Sequence, residues 1–275
     1  MRSTRQDPLW QTLRDEIIRL SDKEELLTPY FHEFVLKHDS LVKALSALLA
    51  AKLASPQVAA ITLSKELERI FSHSEKVKAA IAKDLQAIAA RDPAARGIAE
   101  PFLHYKGFHS LEAYRASHAL WNEKRYPMAY YLHNRIAEVF GVDIHPAAKI
   151  GSGVFIDHAT GVVIGETASV GDDVSMLHGV TLGGTGKEQG DRHPKVGNGV
   201  LIGAGAQILG NVAIGEGSKI GAGSVVLEPV PPHSTVAGVP ARIVGHPKTR
   251  RPALSMDQSI DSEEQVFSSF TASML

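Results

Sequence analysis

Two hydrophobic periods run through the chain and meet near residue 143. Before it, apolar residues recur every three or four positions, the spacing of helices with one buried face. Asp7-Pro8 predicts an N-cap followed by proline in the first turn, with Trp10, Leu13, Ile17 and Leu20 as one stripe behind it. Thr28-Pro29 predicts a second helix start and Ser55-Pro56 another. Between them Ser40 opens a helix carrying Leu41, Ala44, Leu45, Leu48 and Leu49. Val77, Ile81, Leu85 and Ile88 stripe a further helix that breaks at Arg91-Asp92-Pro93. Ser110 predicts the cap of a helix through Trp121. The last helix runs from about Pro127 to Phe140 and stops at Gly141, a left-handed C-cap.

From Asp143 the period is six. Aliphatic side chains stand at Ile144, Ile150 and Ile156, then at Ile164, Val170, Met176 and Leu182, and again at Val196, Ile202, Ile208, Ile214, Ile220 and Val226. Glycine follows directly at 151, 165, 171, 183, 197, 203, 215 and 221. A hexapeptide repeat is a β-solenoid signature, each short strand supplying one inward aliphatic and three strands making one triangular turn. The expected architecture is α+β: an all-α domain over 1–142, a parallel β-helix over 143–245 and a flexible, polar tail over 246–275. The coil is expected to end at Pro231-Pro232.

Two interruptions of the period carry information. Two extra residues separate Ile156 from Ile164, and eight extra separate Leu182 from Val196 if one hexad spans that step. The second makes 183–195 a polar loop thrown out from the coil, and solenoid insertions often build the binding face. Stacking then puts His158 under His178, His178 under Ala204 and Ala204 under Ala222. Two imidazoles at the foot of a row of small side chains suit a long, thin ligand such as the pantetheine arm of acyl-coenzyme A. Neutral histidine is a fitting base for a hydroxyl near pH 7. Its second nitrogen needs an orienting group, for which Asp143 and Asp157 are both candidates. Arg192 and His193 in the loop can receive a carboxylate, and Asp92 or Asp157 an ammonium. His104, His109, His118 and His133 lie on helices without ligand spacing and read as structural. Gly-Gly-Thr-Gly-Lys at 183–187 lacks the spacing of a nucleotide phosphate loop.

Composition narrows the field. A net charge of −1 argues against nucleic-acid or anionic-membrane partners. The start, Met1 to Asp7, leads into no signal-peptide core, and Lys52 interrupts the longest Ala/Leu run, so a cytoplasmic protein is expected. With no cysteine there is no disulfide, zinc-thiolate site or cysteine nucleophile. An acyl group therefore cannot rest on an enzyme thiol, which makes direct transfer within a ternary complex the default.

Ala51-Lys-Leu-Ala-Ser-Pro56, Arg91-Asp-Pro-Ala94, Lys106-Gly-Phe-His109, Val142-Asp-Ile-His-Pro-Ala-Ala148, Asp157-His-Ala-Thr-Gly161, Val180-Thr-Leu-Gly-Gly-Thr-Gly-Lys187, Gly190-Asp-Arg-His-Pro194 and Val239-Pro-Ala-Arg242 occur in this order. Together they resemble the bacterial serine O-acetyltransferase family, over nearly the whole chain. The resemblance implies a left-handed coil, with His158 as general base on the serine hydroxyl and Asp143 orienting it. It further implies that Asp92, Asp157, Arg192, His193 and His178 surround L-serine. Acetyl-CoA is implied to lie along the coil, against Gly184, Gly203, Ala204 and Ala222, with no metal. L-Cysteine is implied as an inhibitor in the serine site. Trimers with active sites between subunits, pairing into hexamers, are implied as well. So is a sulfhydrylase bound through the C-terminus, where Leu275 stands in place of the usual isoleucine. The competing readings are a coil acyltransferase for another acceptor such as a sugar, a γ-type carbonic anhydrase holding zinc through histidines, and a non-catalytic scaffold.

Overall fold

Asp7 accepts a hydrogen bond from the Leu9 backbone N–H at 3.0 Å and opens α1, Pro8–Ser21. The computed structural model describes residues 7–186 and 189–260. Contacts divide the chain into two units, Met1–Val139 and Phe140–Leu275. The first is helical. After α1 come a 3-10 turn at Glu25–Leu27, α2 at Thr28–Phe31 running into a π-helical turn at His32–Leu36, and α3 at Leu41–Leu53, capped by Ser40. Then follow α4 (Ala60–His73), α5 (Glu75–Arg91), α6 (Ala99–His104), α7 (Lys106–Asn122) and α8 (Tyr126–Phe140), after which Gly141 takes φ +67°. Leu13, Ile17, Val35, Leu45, Leu49, Leu67, Phe71, Leu85, Phe102 and Tyr114 are fully or almost fully buried in its core.

Three helix starts differ from the expected ones. Ser55-Pro56 opens no helix: Ser55 and Val58 exchange both backbone hydrogen bonds across a tight turn, and α4 begins at Ala60. Ser110 caps nothing. It lies inside α7, and its hydroxyl donates back to the Gly107 carbonyl at 3.0 Å. α6 carries no local capping side chain. Glu16 of α1 supplies the cap instead, its Oε2 accepting from Ile98 and Ala99 N–H at 2.9 and 2.8 Å.

The second unit is a three-sided parallel coil. Its first face stacks β1 (Asp143–Ile144), β4 (Val163–Ile164), β7 (Thr181–Gly183), β10 (Gln207–Leu209) and β13 (Val225–Val226). The second stacks β2 (Lys149–Ile150), β5 (Ser169–Val170), β8 (Lys195–Val196) and β11 (Ala213–Ile214). The third stacks β3 (Phe155–Ile156), β6 (Ser175–Met176), β9 (Leu201–Ile202), β12 (Lys219–Ile220) and β14 (Thr235–Gly238). The inward aliphatics are in register: Ile144 on Ile164 on Leu182 on Ile208, and Ile156 on Met176 on Ile202 on Ile220. Each is worth about 1.5–3 kcal/mol of burial.

The coil does not stop at Pro231-Pro232. β14 stacks on β12 after them, and β15 (Ala241–Gly245) folds back antiparallel on β14. The tail is not loose over 246–260 either. Its short helix α9, Pro252–Ser255, lies on the outer side of the third face, where Ala253 packs on Leu177 and Leu201. The Ser175 hydroxyl donates to the Ala253 carbonyl at 2.9 Å, and the Lys219 ammonium to the Ser259 and Asp257 carbonyls at 2.5 and 3.1 Å. Outward Leu177 and Leu201 need cover, which polarity averaged over the tail hides. Residues 261–275, and with them the expected sulfhydrylase contact, lie outside the described residues.

The helical core holds a buried cluster of charged side chains. Arg115 donates to Asp84 through Nε at 3.0 Å and again through Nη2. Glu112, one turn before Arg115, brings Oε2 to 3.3 Å from the same Nε, and neither of its oxygens has a hydrogen-bond partner. Asp84 and Glu112 are wholly buried and Arg115 nearly so. Both carboxylates thus face the Arg115 guanidinium. Burial first, and then the Asp84 charge, raise Glu112 well above its ordinary value, which favours its neutral form in the folded protein. The folded state therefore binds a proton that the unfolded state releases above about pH 4.3. That contribution to stability is full below the unfolded value and is lost as pH rises towards the folded one. Glu112→Gln, neutral at every pH, is expected to flatten the fall. Thermal melts of both proteins at pH 4, 6 and 8 check this, and parallel pH dependences would mean Glu112 is charged in the core.

Candidate active site

The two residues added between Ile156 and Ile164 leave the coil at one place, the corner from the third face to the first. Asp157 N–H still bonds to the Met176 carbonyl at 2.8 Å, in step with β3 on β6. Three residues later the step has changed: the Thr160 carbonyl accepts from Gly179 N–H, as the His178 carbonyl does from Gly205 N–H and the Ala204 carbonyl from Gly223 N–H. The ladder column is therefore Thr160, His178, Ala204, Ala222. This corrects the expected place of His158, which lies in a bulge beside the column rather than at its foot. His158 and Ala159 both take left-handed backbone, φ +56° and +58°, a conformation that costs a side-chain-bearing residue about 1–2 kcal/mol.

The bulge still brings the imidazoles together. The rings of His158 and His178 have centroids 5.8 Å apart in an edge-to-face arrangement. The His158 side chain is 72% exposed. Asp157 Oδ2 lies 3.6 Å from its Nε2, at ion-pair rather than hydrogen-bond range. Asp143 is the outward residue of β1, beside Val163 on the first face. Above the bulge, Ala204 is half-buried and touches the cluster that carries Met256, and Ala222 is exposed. Gly203 is buried against the backbone of Ala222.

The other candidates stand at a different corner, between the first and second faces, where the eight extra residues leave the coil. Arg192 and His193 close the protruding loop there. Glu166 Oε2 accepts from Arg192 Nη2 at 2.7 Å, and Arg192 Nη1 donates to the Gly190 carbonyl at 3.0 Å. The guanidinium holds the Glu166 carboxyl below its ordinary range. The Thr167 hydroxyl accepts from Arg192 N–H at 3.0 Å and His193 N–H at 3.1 Å, and it lies 2.9 Å from His193 Nδ1. The His193 ring is 7% exposed, and burial first, then Arg192, lowers its pKa, so it is neutral near pH 7. Gly184 lies against Arg192 and His193. Lys195 ties the loop's return, its Nζ donating to Asp191 at 2.5 Å and to the His193 and Thr167 carbonyls at 2.7 and 2.9 Å. Glu166, Thr167 and Lys195 escaped the sequence reading, although stacking could have found the first two. Each precedes its partner in the loop by 26 residues, the offset that relates Val170 to Val196.

Asp157, His158 and His178 thus share one corner, and Arg192, His193 and Gly184 another. The first face lies between these corners, and the five residue steps from Gly161 to Glu166 span at most about 16 Å. Asp92 belongs to the helical unit, where it ends α5 and its Oδ1 accepts from Ala94 N–H at 2.8 Å. Among the described residues no group of three or more His, Asp or Glu could hold a metal ion, and no helix is long and apolar enough to cross a membrane.

Comparison with known proteins bears on both units. The family described as serine acetyltransferase, N-terminal, matches residues 9–113, and the bacterial transferase hexapeptide family matches 193–228. A serine acetyltransferase of Salmonella typhimurium is 52% identical over 94% of this chain and 95% of its own length. A solved serine acetyltransferase in complex with cysteine superposes with a TM-score of 0.90 at 52% identity, covering 92% of this chain and 98% of that one. The Brucella abortus enzyme in complex with coenzyme A gives 0.86 at 48%, with 87% and 96% covered. The soybean enzyme complexed with serine gives 0.84 at 51%, with 86% and 97% covered. The coil shares the left-handed β-helix of this fold.

The bulge is the strained part of the site, which allows a test by stability. Ala159 is fully buried at φ +58°. Ala159→Val adds a β-branched side chain where even alanine is strained, and a loss of at least 2 kcal/mol is expected, about the upper end for a strained residue. Ala159→Gly keeps the conformation at no steric cost and is expected to stay within about 1 kcal/mol of the parent. Urea unfolding of the three proteins checks the order; equal losses would mean the corner relaxes out of its left-handed turn.

Proposed function

The chain belongs to the serine acetyltransferase family, and on that premise we propose that it moves acetyl directly from acetyl-CoA to the L-serine hydroxyl with His158 as general base. The observation that carries this is the corner bulge, which holds an exposed imidazole beside His178 and Asp157 at the edge of the Ala204–Ala222 row. His158 takes the hydroxyl proton as the serine oxygen attacks the thioester carbonyl carbon. The tetrahedral adduct collapses, the C–S bond breaks, and the imidazolium returns the proton to the departing CoA sulfur. Products are O-acetyl-L-serine and CoA. A chain without cysteine has no thiol on which to park the acetyl group, which supports one-step transfer. Asp157 supplies the nearby carboxylate on one side of His158, and Asp143 is the second candidate for orienting it.

Arg192 and His193 receive the serine carboxylate, and Asp157 with Asp92 the ammonium. The acetyl-CoA arm runs past Gly184, Gly203, Ala204 and Ala222. The His158 corner and the Arg192 corner do not converge within one coil. We therefore assign the complete site to a cleft between two copies of the chain, each lending a different corner, as in a trimer or a pair of trimers. L-Cysteine, which differs from serine only by sulfur for oxygen, fits the same charged groups and acts as the inhibitor, and a relative solved with cysteine supports this. The demand for acetyl-CoA fits a cytoplasmic enzyme.

His158→Ala is expected to lower turnover by roughly 10²–10⁴ while acetyl-CoA still binds, the usual range for a lost general base. Release of free CoA with serine, compared with a panel of sugars and amines, measures this and tests the acceptor; near-normal turnover by the variant would end the assignment. Arg192→Ala is expected to raise the serine KM roughly 10–100-fold, since a hydrogen bond to a charged group is worth about 1.5–3 kcal/mol, with the acetyl-CoA KM nearly unchanged. Equal rises in both would reduce Arg192 to a loop-ordering residue.

A further inference from the structure

One side chain at the second corner contacts both carboxylate-binding candidates without being one of them. Thr167 stands in the turn that leads into β5, and its backbone and side chain meet four atoms of the loop's return, His193 Nδ1, the Arg192 and His193 backbone nitrogens and Lys195 Nζ. Its own N–H donates to His193 Nδ1 at 3.2 Å. A backbone N–H can only donate, so Nδ1 must present its lone pair. A proton on Nδ1 would set two hydrogens head to head. The Thr167 oxygen already accepts from Arg192 N–H and His193 N–H, so its own hydrogen is shared between Nδ1, 2.9 Å away, and the Asp191 carboxylate. Both donors fix the same tautomer, with the ring proton on Nε2.

The other edge of the ring is placed by an absence. A Cβ at Gly165 would lie 2.0 Å from His193 Cδ2 and 2.1 Å from Nε2, so the imidazole occupies the space a side chain would fill. A methyl group there cannot be accommodated by a buried ring without moving it. His193 is thus clamped between Thr167 at Nδ1 and the bare backbone of Gly165 at Nε2. The two backbone bonds to the Thr167 oxygen hold Arg192 in step with it.

We propose that Thr167 is a positioning residue that keeps His193 as the Nε2–H tautomer and so aims one neutral donor, alongside the Arg192 cation, at the carboxylate of the acceptor. The proposal rests on the assignment of Arg192 and His193 to the serine carboxylate. It makes the corner a recogniser of α-amino-acid carboxylates: an Nδ1–H tautomer would offer a lone pair at Nε2 and repel the anion. The lowered pKa of His193 agrees, because a neutral ring has a tautomer to be fixed.

The test uses the full-length protein with 15N-labelled histidine, the His193 signals being assigned by loss in His193→Gln. Nitrogen NMR across pH 6–8 is expected to show Nδ1 unprotonated and Nε2 protonated in the parent. Thr167→Val removes the hydroxyl that accepts from the Arg192 and His193 N–H groups, and with it the registration that keeps Nδ1 on the Thr167 N–H; it is expected to mix the tautomers and raise the serine KM about tenfold, the upper end for one hydrogen bond. The acetyl-CoA KM should hold, and Thr167→Ser, which keeps the hydroxyl, should restore both readouts. A parent protein with the proton on Nδ1 overturns the proposal whatever the variants do. So does Thr167→Val with an unmixed tautomer, and in either case the serine assignment stands. A mixed tautomer with an unchanged serine KM overturns it differently, by showing that His193 does not meet serine at all.

Discussion

Backbone pairing between successive turns is the constraint from which the second unit follows. Each inner strand of a face has a turn below and a turn above, so its backbone N–H and C=O groups are committed along the coil axis. A residue cannot be inserted within a face without turning an inward aliphatic outward. Additional residues can leave only at corners, and both insertions do. Two residues leave between Asp157 and Thr160 and eight between Gly183 and Lys195, while the ladder resumes in register immediately beyond each. Asp157, His158, Gly184, Arg192 and His193 sit at or beside these two departures, where the coil has backbone to spare.

Electrostatics at the second corner shows how a polar excursion is held without a core. Lys195 pairs with Asp191 and Arg192 with Glu166, and the Thr167 and His193 carbonyls take what the Lys195 ammonium has left. Exposed ion pairs of this kind contribute little individually, about 0–1 kcal/mol. Here they act as a set that fixes the loop's return rather than as a source of stability. In the helical unit the emphasis reverses. The Arg115–Asp84 pair is dry, and removing either partner would strand a buried charge at a cost of about 3–5 kcal/mol. Glu112 completes that cluster by giving up its charge.

Local signals in the helical part were reliable where the cap was local. Asp7 and Ser40 bond to backbone two or three residues ahead, and both were legible. Ser55 and Ser110 carry the same side chain and were misread, because a serine hydroxyl bonds as readily within a turn or back to the preceding helical turn. α6 was invisible for the opposite reason: its cap is Glu16, 82 residues earlier. The packed stretch of the tail was also missed. α9 is held by cover over Leu177 and Leu201, a need that arises only after the coil has formed.

By itself the sequence determined the coil, its register and the residues at each departure, because a period of six tied to strict stacking leaves one alignment. The offsets of 20 and 26 residues between stacked aliphatics were countable before any coordinate was known. Tertiary structure decided where within each interruption the step changes, and therefore that Thr160, not His158, stands beneath His178. It also decided that Asp157 is a close carboxylate to His158, that Thr167 and Gly165 clamp His193, and that the two groups of candidate residues occupy different corners. The period reports which residues face inward. The exit of extra residues and the contacts of outward side chains depend on strain and hydrogen bonds among segments far apart in the chain, which no local pattern encodes.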